Sequence, residues 1–394
     1  MLKYLKKIVI FVFLTSCILL NGQEIDYKKD FHNLLTTTKS DDEIYNLIEN
    51  YFKSFDDIQL PIALGKITND MDYHTVVHLI GITESRLESI SYTAGLINEI
   101  SKNDNSDGFR IATIELIQKI VIKRNNLKEI QNFNAVTYDI AKNNVLSDEL
   151  REYAAQNTAR YTDYKTNKTI LSELINNKNY AVKNGAAKSV RRLLLNNLSS
   201  DEDDYWAELL VKNIDDNIKL TYSKSLIITL GYSNSEIAKE YLTSLFGKNE
   251  NSDIIALSLS QFHDNEILKC IFNKFPEKDS TYNFQKELLL STIVQNNVDI
   301  LEKFSSSKND DETIIFLRGI RLIQDNEKNK KMLNKDKISS LLYSDSESVR
   351  LETIKSIHFT YPYEEEKLIF LNHLNKEYSD KVKALIYSYI GFVK

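Results

Sequence analysis

Proline occurs 3 times and glycine 10 times in 394 residues, against a usual joint share of roughly 12%. Folds built from many short strands turn on these two residues, so their scarcity speaks against a sandwich or barrel and predicts an all-α chain. Asn, Ser and Asp clusters punctuate the sequence instead, as at 102–107, 176–179 and 248–253. Cysteine is nearly absent: Cys17 and Cys270 are the two present. No excess of positive charge exists either. Fifty basic residues face 56 acidic ones for a net charge of −6, which lacks the basic face of a nucleic-acid binder. No nucleophile elbow, phosphate-binding glycine loop, dinucleotide fingerprint or CxxC pair occurs. The expectation is therefore a protein that is not an enzyme and carries no cofactor.

One long apolar run is present, Ile8 to Leu20, and its 13 residues fall short of the roughly 20 that a membrane span needs. Lys3, Lys6 and Lys7 precede it, and Leu20-Asn21-Gly22 ends it with a small residue. Residues 1–22 thus read as a secretory signal cleaved after Gly22. Leu14-Thr15-Ser16-Cys17 is similar to a bacterial lipobox, so lipid attachment at Cys17 is the alternative. Both routes predict export to the periplasm or cell envelope, and lipidation alone would tie the chain to a membrane. With 1–22 removed, Cys270 has no intrachain partner, and stability must come from packing. Cys270 stands in the apolar stretch Ile267–Phe272 and is expected to be buried.

Several stretches carry apolar residues at helical spacing, among them 111–121, 226–230, 288–294 and 385–390. Ser40, Ser199, Ser233 and Ser344 each precede a Glu by three residues, the pattern of a capping box. Gly231 and Gly247 fall at expected helix ends, where a left-handed terminator fits. A further pattern recurs: an apolar residue followed by Lys or Arg opens a helix at Leu150-Arg151, Val182-Lys183, Val349-Arg350 and Val382-Lys383. The first two lie 32 residues apart and the last two 33. Val349 lies 167 residues after Val182, five steps of about 33, a period that means stacked helical hairpins.

The stretches Ser344–Ile354 and Asn179–Ala187 resemble the second helix of a HEAT repeat, with the apolar-basic pair followed by small residues. Ala154-Ala155 and Ala186-Ala187 stand four and five positions after Leu150 and Val182. The resemblance implies an α-solenoid, a superhelix of antiparallel hairpins with a concave recognition surface. Weaker units fall in phase near Ile218, Ile254, 284–294, 314–323, 87–97 and 110–122. The expected organisation is 1–22 signal, 23–84 an N-terminal helical, capping segment, and 85–394 the repeat array.

Candidate sites are few. His74 and His78 lie one turn apart on a helix and form a weak zinc candidate, because the general-base Glu is missing after His74 and no third ligand is evident. Asn103–Gly108 imitates a calcium loop, but position 12 would be Ile114, so an inter-helix turn is expected and no metal. Tyr205 and Trp206, beside the acidic run 201–204, are candidate partner anchors, as is the short basic patch of Arg191 and Arg192 with Lys188. The sequence thus predicts an exported, non-catalytic solenoid that binds a protein partner. An immunity or inhibitor protein acting on a toxin in the same compartment is the first alternative, and an enzyme on a helical scaffold the second.

Overall fold

A computed structural model describes residues 26–36, 41–160, 163–196, 198–214, 220–248, 252–275, 284–323 and 334–391. The described chain is α-helical and contains no strand. Among the described residues no helix is long and apolar enough to cross a membrane. Residues 1–22, with the expected cleavage site and Cys17, lie outside the described residues.

The chain divides into two compact units, Met1–Leu193 with Asn217–Leu226, and Leu194–Asp216 with Ile227–Lys394. The first contains α1 (Tyr27–Leu35), α2 (Asp41–Lys53), α3 (Gln59–Ile67), α4 (Tyr73–Ile82), α5 (Ile90–Ser101), α6 (Asp107–Arg124), α7 (Leu127–Lys142), α8 (Asp148–Asn157), α9 (Tyr164–Ile175) and nearly all of α10 (Tyr180–Leu194). Helices pack on their next-but-one neighbours: α1 on α3, α3 on α5, α5 on α7, α7 on α9, and in the other row α4 on α6 and α6 on α8.

The second boundary falls within α12 (Lys224–Leu230). The second unit holds α11 (Ser200–Lys212), α13 (Glu236–Lys248), α14 (Ser252–Leu259), α15 (Asn265–Lys274), α16 (Phe284–Asn296), α17 (Val298–Phe304), α18 (Asp310–Leu322), α19 (Lys335–Ser340), α20 (Glu347–Thr360), α21 (Tyr363–Leu374) and α22 (Asp380–Ile390). Here α14 packs on α16, α16 on α18, α18 on α20 and α20 on α22.

Side-chain bonds between helices follow the same spacing. Lys66 Nζ donates to Asp104 Oδ2 at 2.8 Å, 38 residues on, Tyr73 Oη to Glu115 Oε2 at 3.1 Å, 42 on, and Lys142 Nζ to Glu173 Oε1 at 2.6 Å, 31 on. In the second unit Ser291 Oγ donates to Leu322 O at 2.8 Å, 31 on, and Ser379 Oγ to Glu347 Oε2 at 2.7 Å, 32 back.

The apolar members of the four recurring pairs, Leu150, Val182, Val349 and Val382, are all buried. So are Ala154, Ala155, Ala186 and Ala187. Between the alanines, Gly185 brings α10 so near α8 that an added Cβ would stand 2.2 Å from Glu152 O. The basic member has a second task. Arg151, in the first turn of α8, is buried and donates from Nε to Ala141 O at 3.2 Å, ten residues back. Arg110 repeats this in α6, reaching Ile100 O at 2.8 Å. Each guanidinium thus satisfies a carbonyl near the end of the preceding helix, a group left without an intrahelical partner.

The helix starts differ from the expected capping boxes. Ser233 does not cap α13, because its hydroxyl donates back to Leu230 O at 2.8 Å. Ser344 stands two residues before the cap position of α20, which Ser346 occupies. Ser199 does flank α11 but makes no side-chain cap bond, and Ser40 lies outside the described residues. Single Asp, Asn and Ser caps do this work elsewhere, as Ser106 does for α6 and Ser147 for α8. The expected glycine terminators are corrected too. Gly247 lies within α13. Gly231 has no positive φ and is needed for close packing, since a Cβ there would stand 2.4 Å from Ser258 O.

Candidate interaction site

His74 and His78 sit on α4 with exposed imidazoles. Asp72 is the N-cap of that helix, accepting from Thr75 N at 3.1 Å, and Asp70 pairs with Lys28. His78 meets the Tyr45 ring edge-on, centroids 6.3 Å apart. Among the described residues, no group of three or more His, Cys, Asp or Glu side chains is arranged to hold a metal ion. The calcium-like stretch is a turn between α5 and α6. Asn105 is buried and donates to Glu99 O at 2.8 Å, and Asp104 is held by Lys66.

Trp206 fills the interior at 0% exposure, so its indole presents no surface to a partner. Tyr205 is half-buried beside it, ring centroids 5.3 Å apart. Arg191 and Arg192 are half-buried. Arg192 reaches Gln156 O and, at 2.7 Å, Ser189 Oγ, while Lys188 pairs with Glu152 at 2.6 Å. Lys188 and Arg192 are thus turned against α8. Cys270 is exposed, contrary to expectation. In α15 the buried residues are Ile267, Leu268, Ile271 and Phe272, and at about 100° per residue Cys270 falls on the opposite side.

A different set of residues forms the best-defined polar centre, where the start of α20 meets the connection from α21 to α22. Val349 is buried and draws the first turn of α20 inward, which takes Arg350 with it. The connection Asn375–Ser379 runs back beneath this turn, and Ser379 caps α22 by accepting from Val382 N at 3.4 Å. Glu377 therefore meets Arg350 inside the protein. Arg350 Nε donates to Glu377 Oε2 at 2.9 Å and Nη2 to Oε1 at 3.2 Å, with side chains 2% and 0% exposed.

Both groups make further hydrogen bonds. Glu377 also accepts from Tyr378 N at 2.9 Å and Ser379 N at 2.7 Å. His373 Nε2 lies 2.9 Å from Glu377 Oε2. An ionised carboxylate only accepts, so Nε2 carries a hydrogen. Arg350 Nη1 donates to Ser344 O at 2.8 Å and Asp345 O at 3.1 Å. Burial pushes the Glu377 carboxyl upward, but the Ser379 N–H, Arg350 and His373 outweigh it and hold it below the ordinary carboxylate range. Burial likewise lowers Arg350, and the Glu377 carboxylate more than offsets this.

Two exposed tyrosines stand on this buried centre. The Tyr378 ring lies over the Arg350 guanidinium at 4.5 Å and is 73% exposed. Tyr343, 56% exposed, meets His373 edge-on at 5.3 Å, with Lys376 Nζ 5.2 Å from its centroid. Within the buried centre the charges of Arg350 and Glu377 neutralise one another. What the face offers is two amphipathic rings held at low entropic cost, the side-chain type enriched at protein interfaces. The sequence named Val349-Arg350 as a repeat marker and missed its pairing with Glu377. No local pattern links residues 27 apart, and Glu377 looks like any of the chain's other acids.

The chain matches no known family model and no curated protein sequence.

Proposed function

We propose that this chain is an exported, non-catalytic helical-repeat protein of HEAT type that binds a protein partner in the cell envelope through the face carrying Tyr343 and Tyr378. The carrying observation is that pair of exposed rings seated on the buried Arg350–Glu377–His373 centre. A rigid aromatic platform of this kind is suited to recognition. The repeat reading is supported by the next-but-one helix packing and by side-chain bonds recurring 31 to 42 residues apart. Export rests on the sequence of residues 1–22, and intact-mass analysis of the native protein should show their loss, or a diacylglycerol adduct on Cys17.

The test is affinity purification from the native envelope with mass spectrometry, comparing the wild type with a Tyr343→Ala, Tyr378→Ala double variant. A partner enriched at least tenfold by the wild type and lost by a folded double variant supports the reading. Equal recovery by both contradicts it. The partner's identity separates the scaffold from the inhibitor: a toxin or lytic enzyme would favour the latter.

A further inference from the structure

Glu377 receives five hydrogen bonds: two from Arg350, one from His373 and two from the backbone N–H groups of Tyr378 and Ser379. Both exposed tyrosines lead back to it. Tyr378 lies over the guanidinium that Glu377 holds, and its own N–H is bound by the same carboxylate. Tyr343 leans on His373, whose Nε2 donates to Glu377. His373 Nδ1 is buried and has no hydrogen-bond partner among the described residues, so there the bond to Glu377 is the one hydrogen bond that orients the ring.

We propose that Glu377 is the positioning residue of this face: by binding Arg350, His373 and the two backbone N–H groups at once, it sets how Tyr378 and Tyr343 are presented to a partner. This rests on the reading of that face as the binding surface. The carboxylate is suited to the task because it only accepts, and every group facing it donates. Glutamine has the same shape but brings an NH2 into a ring of donors. In Glu377→Gln one or more of the five bonds must be lost, and Arg350 stays buried without its counter-charge.

The test reads the ring directly and needs no partner. With 3-fluorotyrosine at position 378 of the full chain, the 19F resonance in the folded protein is displaced from its position in urea, because the ring lies over a guanidinium. In Glu377→Gln, checked for native helicity by circular dichroism, it moves to the urea position. A folded Glu377→Gln chain that keeps the wild-type resonance overturns the proposal. The double variant Arg350→Met, Glu377→Gln removes the uncompensated charge, so its melting temperature should recover while the resonance stays at the urea position. Glu366→Gln is the control, since Glu366 is also buried but pairs with His358; a shift there equal to that of Glu377→Gln would likewise overturn it. Photo-crosslinking at position 378 of the wild type tests the binding surface separately, so each idea can fail without the other.

Discussion

Arg350 and Glu377 form a two-point ion pair, 2.9 and 3.2 Å, in which neither side chain reaches solvent. Removing two charges from water is expensive. The Coulomb attraction offsets that only when the remaining donors and acceptors are also satisfied, and here the carbonyls of Ser344 and Asp345 and the N–H groups of Tyr378 and Ser379 complete the set. The pair fastens the start of α20 to the connection before α22.

Removing one partner is accordingly worse than removing both. Arg350→Ala should lower stability by roughly 3–5 kcal/mol, since it leaves a buried carboxylate without its counter-charge. Arg350→Met with Glu377→Gln should recover most of that. Urea unfolding followed by circular dichroism measures both, and equal losses in the two variants would show that the charge is not the cause.

Acid should weaken the protein through the same residues. Glu377 is held below the ordinary range, as is Glu352, where burial raises the carboxyl but Arg321 and Lys355 outweigh it. A depressed folded-state value gives stability that is present above the unfolded value of about 4.3 and is lost as pH falls through the folded value. The urea midpoint should therefore hold from pH 7 to about 5 and fall below about pH 4. Glu377→Gln should show a shallower fall; an identical profile would mean that this carboxylate does not drive the acid transition.

Backbone strain gives a stabilising prediction. Ala159 has φ +58° and is buried, and Asn134 fixes the segment by bonding Arg160 O at 2.9 Å and Arg160 N at 3.1 Å. The left-handed conformation costs an L residue roughly 1–2 kcal/mol, of which glycine's extra unfolded-state freedom returns part. Ala159→Gly should raise stability by about 0.5–1 kcal/mol. A drop in melting temperature would show that the methyl packs better than it strains.

The approach of α10 to α8 leaves no room for growth. Gly185→Ala would put a Cβ against the Glu152 carbonyl, a backbone atom that cannot swing aside. Ala187 is buried two residues on. Either Gly185→Ala or Ala187→Leu should cost roughly 1–3 kcal/mol through overpacking. Unchanged melting temperatures would place this stretch away from the contact.

Much of the fold was legible where the deciding forces are local. The helical class follows from apolar spacing and scarce breakers, and Leu150, Val182, Val349 and Val382 are buried as first-turn apolar residues should be. Legibility ended where geometry around the helix or across the chain decides. Cys270 is a neighbour of Ile271 in sequence but lies on the other side of α15. Ser233 fits a cap pattern, yet its hydroxyl turns back to Leu230. Trp206 stands beside acids but is fully buried. The face proposed for binding was missed because Glu377, Tyr378 and Tyr343 carry no motif, and only the folded connection brings them to Arg350.

The most direct measurement is site-specific photo-crosslinking in cells. A benzophenone amino acid at position 378, where the side chain is 73% exposed, is compared with one at position 145, which is 88% exposed. The account predicts a discrete crosslinked protein at 378, absent at 145 and lost when Tyr343 is also replaced by Ala. No adduct at 378, or the same adduct at both positions, would contradict it.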